Sequence, residues 1–294
     1  MISAPGAFLR LEIGLLETTL RKDVIVACIQ FEPIVGSVAA NREAMERQIR
    51  AAQAGGASIV VLPELADSGY VFEDENELAA QASPVPGGAT STLLCNLSRE
   101  LNIVVVSGLA ERDGDAFFNT AIVCGPDGFV GKYRKLHLWN EEKRYFRSGD
   151  LGLPVFDTPL GRIGVAICYD GWFPETFRQL TLNGALLVCV PTNWVPMPGG
   201  DLQPEPMANV LHKAAAHSNG VYIACADRIG TERGQSFLGR SVILGPTGWP
   251  VAGPASADRA EIIFAKLELG AVAAGRRLSV FNDLISDRRS DVYG

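Results

Sequence analysis

Hydrophobic positions along this chain follow two alternating patterns. Short runs dense in valine and isoleucine, VIVACIQF (24–31) and SIVVLP (58–63), predict strands buried on both faces of a parallel sheet. Between them, NREAMERQIRAAQ carries Met45, Ile49 and Ala52 along one helical face, and Gly55-Gly56 ends the helix. Together these segments make a βαβ unit. The alternation continues with a helix over about 89–100, the run NIVVVSGLAER, an apolar stretch ending at Cys168, a helix opening near Pro174, and LLVCVPTNW (186–194). Strands interleaved with helices predict α/β layers.

One stretch echoes another. VVVSGLAERDGDAFFNTAIVCGPDGFVGK (104–132) and YIACADRIGTERGQSFLGRSVILGPTGWPVAG (222–253) each read strand, charged turn, strand, Gly-Pro-x-Gly, strand. Proline presets φ and glycine accepts positive φ, which makes both tetrapeptides hairpin turns. The echo predicts two antiparallel meanders in a pseudo-symmetric pair of sheets, packed face to face with helices outside. Chance recurrence of Gly-Pro turns is the alternative.

A length of 294 residues with 47% hydrophobic content supports a single domain over residues 23–294, preceded by an extension (1–22) to which no role is assigned. The formal charge of −7 argues against non-specific nucleic-acid binding and points to a small-molecule partner. Cysteines 28, 95, 124, 168, 189 and 225 are scattered rather than closely paired, which fits a reducing cytoplasm better than a disulfide framework or a zinc site. Arg10 and Glu12 interrupt the amino-terminal apolar stretch, and no run of 18 apolar residues occurs, so neither secretion nor membrane spanning is expected.

Three polar residues each follow a strand-like run: Glu64 after IVVLP, Lys135 after FVGKYR, and Cys168 after IGVAI. Ligand crevices of α/β sheets form at the carboxyl ends of strands, so separate segments can deliver these groups to one place. A thiol with a free pKa of about 8.5 needs a base or a nearby cation to act as a nucleophile. Glu64 supplies the base. Lys135 favours the thiolate and, with a backbone N–H such as that of Tyr169, stabilises an oxyanion. Taken singly, Glu64 reads equally as a helix cap or a solvated side chain, Lys135 as part of a solvated basic cluster with Lys132 and Arg134, and the other five cysteines as small core residues.

LPELADSGY (62–70), KYRKLHLWNEEK (132–143) and GVAICYDGWFPE (164–175) resemble the three blocks of the nitrilase superfamily of carbon–nitrogen hydrolases. The likeness runs over about residues 24–292, including PTNW (191–194) and the closing DRRSDVY (287–293). The resemblance implies a four-layer αββα sandwich of two mixed sheets, a Glu64-Lys135-Cys168 triad, a cysteinyl thioester, no cofactor, and homodimers or larger homo-oligomers. It also implies a second glutamate beside the lysine, placed at Glu142 with Glu141 as competitor. Tyr70, Trp172, Asn193 and Trp194 are candidate pocket residues, with core or rim packing an equal alternative for the three aromatics. His137 invites a Cys-His reading that nothing nearby supports, and His212 and His217 fall on different helix faces.

Cys-Tyr-Asp, beginning at the nucleophile, resembles the amidase and amidohydrolase branches, whereas nitrilases tend to read Cys-Trp-Glu. Carbamoyl-amino-acid hydrolases place arginines where this chain has Gly171 and Trp172, so a carboxylate-bearing substrate is disfavoured. Gly171 is expected to leave room beside the nucleophile. The expected activity is hydrolysis of a small aliphatic amide to acid and ammonia. The alternatives are an N-carbamoyl amine amidohydrolase, then a nitrilase, and outside catalysis an inactive scaffold protein.

Overall fold

The computed structural model describes residues 23–197 and 205–293, so the expected extension over 1–22 lies outside the described residues. The first half of the chain forms β1 (Val24–Gln30), α1 (Val38–Ala54), β2 (Ile59–Val61), α2 (Glu75–Gln81), α3 (Ala89–Leu101), β3 (Val104–Asp113), β4 (Ala116–Gly125) and β5 (Gly128–Arg134). The second half begins with α4 (Glu142–Tyr145), β6 (Val155–Thr158), β7 (Gly161–Val165), α5 (Pro174–Leu182), β8 (Leu187–Pro191), α6 (Met207–Asn219) and β9 (Tyr222–Ala226). It ends with the hairpin β10 (Thr231–Glu232) and β11 (Gln235–Ser236), then β12 (Val242–Leu244), β13 (Pro250–Ala252), β14 (Glu261–Leu267) and α7 (Val272–Gly275). Among the described residues, no helix is long and apolar enough to cross a membrane.

Two mixed sheets result, ordered β14-β1-β2-β3-β4-β5 and β13-β12-β9-β8-β7-β6. The parallel strands β1, β2 and β3 of one correspond to β7, β8 and β9 of the other. Each parallel set is extended on one side by an antiparallel meander (β4 and β5; β12 and β13) and on the other by one antiparallel strand (β14; β6). The echoed segments are these meanders, and their Gly-Pro turns join β4 to β5 and β12 to β13. The halves differ in that the second meander inserts the β10–β11 hairpin.

Period-two alternation decides what each strand buries. Val26 and Cys28 of β1 face the second sheet and pack in a cluster with Ile163, Val165, Leu187 and Ile223. Ala27 and Ile29, one residue out of phase, face the helix side and pack with Met45, Ile49 and Leu94 of α1 and α3. Helices α5 and α6 cover the second sheet, completing four layers.

This topology brings distant residues to one end. Strand β5 is antiparallel to β4, which is antiparallel to β3, so β5 runs in the direction of β2. The carboxyl ends of β2 and β5 therefore point the same way and carry Glu64 and Lys135. Strand β3 also guides the chain beyond β2: Gly108 N–H donates to the Pro63 carbonyl (3.1 Å), and Ala66 N–H donates to the Gly108 carbonyl (3.1 Å). A Cβ on Gly108 would stand 2.4 Å from Glu64 Cα and 2.6 Å from Leu65 N, backbone atoms that cannot swing aside.

Gly108→Ala is expected to destabilise the protein by about 1–3 kcal/mol through overpacking and to lower activity by displacing Glu64. Chemical denaturation and turnover measured on one preparation check both effects.

Candidate active site

Glu64 stands three residues past β2, followed by Leu65 in the left-handed region (φ 47°). Its main-chain carbonyl accepts from Asn193 Nδ2 at 2.9 Å. The loop beyond is tied down by Glu232, whose Oε1 accepts from Tyr70 N (2.7 Å) and whose Oε2 accepts from Arg228 Nη1 (2.8 Å). The backbone around Glu64 is thus set by partners from both halves of the fold.

Lys135 directly follows β5, and its N–H donates to the Asn119 carbonyl at 2.8 Å, continuing the ladder with β4. Alternation splits the basic cluster that surrounds it. Lys132 and Arg134 turn to one side, where both bond Glu111, the Arg134 Nη2 contact being 2.6 Å. Tyr133 and Lys135 turn to the other side. The Lys135 side chain has no exposure, and its Nζ donates to Glu64 Oε1 (2.6 Å) and Glu142 Oε1 (2.7 Å). Burial alone would lower the ammonium's pKa, but the carboxylates of Glu142 and Glu64 hold it well above the ordinary lysine value.

Glu142 opens α4 and is buried, with Oε1 also accepting from Tyr70 Oη (2.6 Å) and Oε2 from Trp139 N (3.1 Å). Glu141, its sequence competitor, is exposed and pairs with Arg144. Glu64 Oε1 accepts from Asn119 Nδ2 at 2.7 Å, while Oε2 has no partner among the described residues. Burial raises the Glu64 pKa, Lys135 opposes the rise and Glu142 adds to it, leaving the carboxyl at about 7.

Cys168 sits on a sharp turn beyond β7, at φ 46°, and begins a 3-10 turn over Cys168–Trp172. This turn separates the strand end from α5, which starts at Pro174, where the sequence predicts a helix to open. Asp170 braces it: Oδ2 accepts from Ile167 N (2.9 Å) and Tyr133 Oη (2.7 Å), and Oδ1 accepts from His137 N (3.0 Å). Oδ1 also lies 2.7 Å from His137 Nδ1. His137 stacks on Phe173 and serves this brace, which fastens the cysteine turn to the segment carrying Lys135. Burial pushes the Cys168 thiol well above its ordinary pKa and the Glu64 carboxylate adds to that, with Lys135 and the Thr192 hydroxyl acting against it. Carboxylate, ammonium and sulfur therefore lie within electrostatic reach of one another. The first bond of the turn runs from Asp170 N to Ile167 O (3.0 Å), so the Tyr169 N–H precedes the turn's own bonding.

The glycine expectation needs correction. A Cβ on Gly171 would lie 2.4 Å from the His212 ring, so glycine here admits a buried histidine from α6 and opens no space beside the sulfur. Burial pushes His212 down to about 4 and its Nδ1 is 2.7 Å from the Ala208 carbonyl, so it is a neutral core histidine. Cys168 shares a small recess with Tyr169, Trp172, Asn193, Trp194 and Trp139. Trp194 is also largely core, with 1% exposure. The recess adjoins a cavity of about 310 Å³ walled by Tyr70, Trp139, Glu142, Tyr145 and Phe146. Sequence reasoning missed Asn119, Asp170 and Trp139. Trp139 lies inside the quoted lysine block and could have been found there; Asn119, in the middle of a strand, gave no signal.

Comparison with known proteins agrees with this architecture. The carbon–nitrogen hydrolase family model matches residues 25–277. A protein of Pyrococcus abyssi named nitrilase is 40% identical over 270 residues, covering 92% of this chain and 99% of its own. The N-carbamoylputrescine amidase of Solanum lycopersicum is 36% identical over 288 residues, covering 92% of this chain and 93% of its own. The crystal structure of a carbon–nitrogen hydrolase from Helicobacter pylori G27 superposes with a TM-score of 0.83 at 25% identity, covering 93% of this chain and 97% of that one. The chain belongs to the carbon–nitrogen hydrolase family of the nitrilase superfamily and is a hydrolase acting on carbon–nitrogen bonds.

Proposed function

We propose that the chain is a thiol amidase that releases ammonia from a small aliphatic amide through a thioester on Cys168, with Glu64 as acid/base and Lys135 as oxyanion partner. The observation that carries this reading is the division of labour on Glu64. One oxygen is fixed by Asn119 and Lys135, while the other is buried and has no partner among the described residues. A carboxyl poised near 7 can both take and return a proton at neutral pH.

The resting sulfur is a thiol, because burial disfavours its anion. As it attacks the amide carbon, Glu64 accepts its proton. Lys135 commits two N–H bonds to carboxylates, and its remaining proton, with the Tyr169 N–H, meets the carbonyl oxygen as negative charge develops. Collapse breaks the carbon–nitrogen bond while Glu64 protonates the departing nitrogen. Glu64, again a carboxylate, then draws a proton from water attacking the thioester, and the thiol is regenerated. In this reading Glu142 and Tyr70 position Lys135.

The walls of Trp139, Trp172 and Trp194 beside the sulfur favour an unbranched acyl group, and the adjoining cavity accommodates a longer tail. That cavity, with the likeness to the tomato amidase, favours an N-carbamoyl amine as second reading. Ammonia released with carbon dioxide supports the second; ammonia alone supports the first. We further propose a cytoplasmic homo-oligomer, supported by the family resemblance, by the scattered cysteines and by the exposed apolar Leu278, Val280 and Phe281; light scattering measures the assembly.

Cys168→Ala is expected to keep the native circular dichroism spectrum and lose turnover; hydrolysis surviving in the variant removes the nucleophile assignment. Lys135→Ala is expected to slow acylation by roughly 100-fold or more, read by pre-steady-state kinetics. The value kcat/KM is expected to fall as pH drops through about 7, since protonated Glu64 cannot accept the thiol's proton. An acidic limb centred near the ordinary glutamate value of 4.5 contradicts that role.

A further inference from the structure

Two of the scattered cysteines meet in the fold. Cys95, on the sheet-facing side of α3, and Cys124, near the end of β4, bring their Sγ atoms to 2.7 Å, closer than two non-bonded sulfur atoms sit. Alternation along β4 explains the meeting: Ala121 and Val123 face the second sheet, whereas Ile122 and Cys124 face the helices. The pair therefore lies on the opposite face of the first sheet from Cys168, whose sulfur belongs to the cluster between the sheets. Cys124 is fully buried, but Cys95 keeps 7% exposure.

We propose that Cys95 and Cys124 form a redox-active dithiol, closed to a disulfide by hydrogen peroxide or a like small oxidant and reopened by thiol reductants. The chemistry of the pair is asymmetric. Cys95 keeps the solvent access that an oxidant needs, whereas Cys124 is sealed in the core, where burial disfavours its thiolate. Cys95 is thus the attacking sulfur and Cys124 the resolving one. The Cys95 thiolate attacks one peroxide oxygen, the oxygen–oxygen bond breaks, and the hydroxide that leaves becomes water, giving a sulfenic acid. The Cys124 sulfur then attacks the Cys95 sulfur, the sulfur–sulfur bond forms, and the sulfenic oxygen departs as a second water. Two thiols lose two electrons and two protons, and one peroxide is reduced to two waters. The link ties α3 to β4, the strand that also carries Asn119.

The fragments left by trypsin make the test direct: residues 51–99 hold Cys95 as their only cysteine, and residues 113–132 hold only Cys124. The full chain is treated with equimolar hydrogen peroxide, quenched with catalase, alkylated under denaturing conditions, digested and weighed without reduction. The expected product is a peptide joining 51–99 to 113–132, short of two hydrogens, lost on dithiothreitol treatment and absent from Cys95→Ser. The oxidised chain is expected to melt roughly 5 °C above the identically treated variant, as closing a loop of about 30 residues should give. Recovery of the two peptides separately, each alkylated, or of Cys95 as sulfinic acid with Cys124 alkylated, overturns the proposal. Because the native chain is mapped, the test stands even if a serine variant folds poorly.

Discussion

A lysine ammonium with no solvent exposure, held between two buried carboxylates, is the constraint on which the rest of this structure depends. Removing such charges from water costs several kcal/mol per ion, and only close contacts offset it. Lys135 has both contacts, at 2.6 and 2.7 Å. Burial, together with the second carboxylate of Glu142 and against the pull of Lys135, moves Glu64 to about 7. A proton is therefore bound loosely at one carboxyl. Structural necessity and proton-transfer capacity have the same origin.

Such a cluster tolerates little movement, and the surrounding fold is built to deny it. Glu64 is anchored through its main chain to Asn193 of the second sheet's loop and through its side chain to Asn119 of the first sheet. Asp170 fastens the cysteine turn to Tyr133 and His137 on either side of Lys135. Left-handed conformations at Leu65 and Cys168 are locally costly for residues with a Cβ, and these anchors maintain them. Leu65 and Cys168 are two of the six non-glycine residues with positive φ among the described residues.

Much of the layer order was legible in the linear pattern, because strands buried on both faces must be apolar throughout while helices between them need only a stripe. Met45, Ile49 and Ala52 marked the stripe of α1, and all three are buried. The twin Gly-Pro turns disclosed the matched meanders. Less legible were contacts made by residues whose types are common everywhere. Asn119 lies in the middle of a strand, and Asp170 reads as an ordinary turn residue. Gly171 was misleading, since the volume it leaves is taken by His212, a residue about forty positions away on another helix.

Taken alone, the sequence determined which residues could be nucleophile, base and cation, and that each would stand near a strand's end, because residue chemistry and hydrophobic periodicity are local properties. Only the tertiary structure decided that Glu142 rather than Glu141 reaches Lys135, that Cys95 meets Cys124, and that one Glu64 oxygen finds no partner among the described residues. Those outcomes depend on strand direction, side-chain alternation and the packing of one sheet on another. They fix distances between residues far apart in the chain, and desolvation then sets the charges those residues carry.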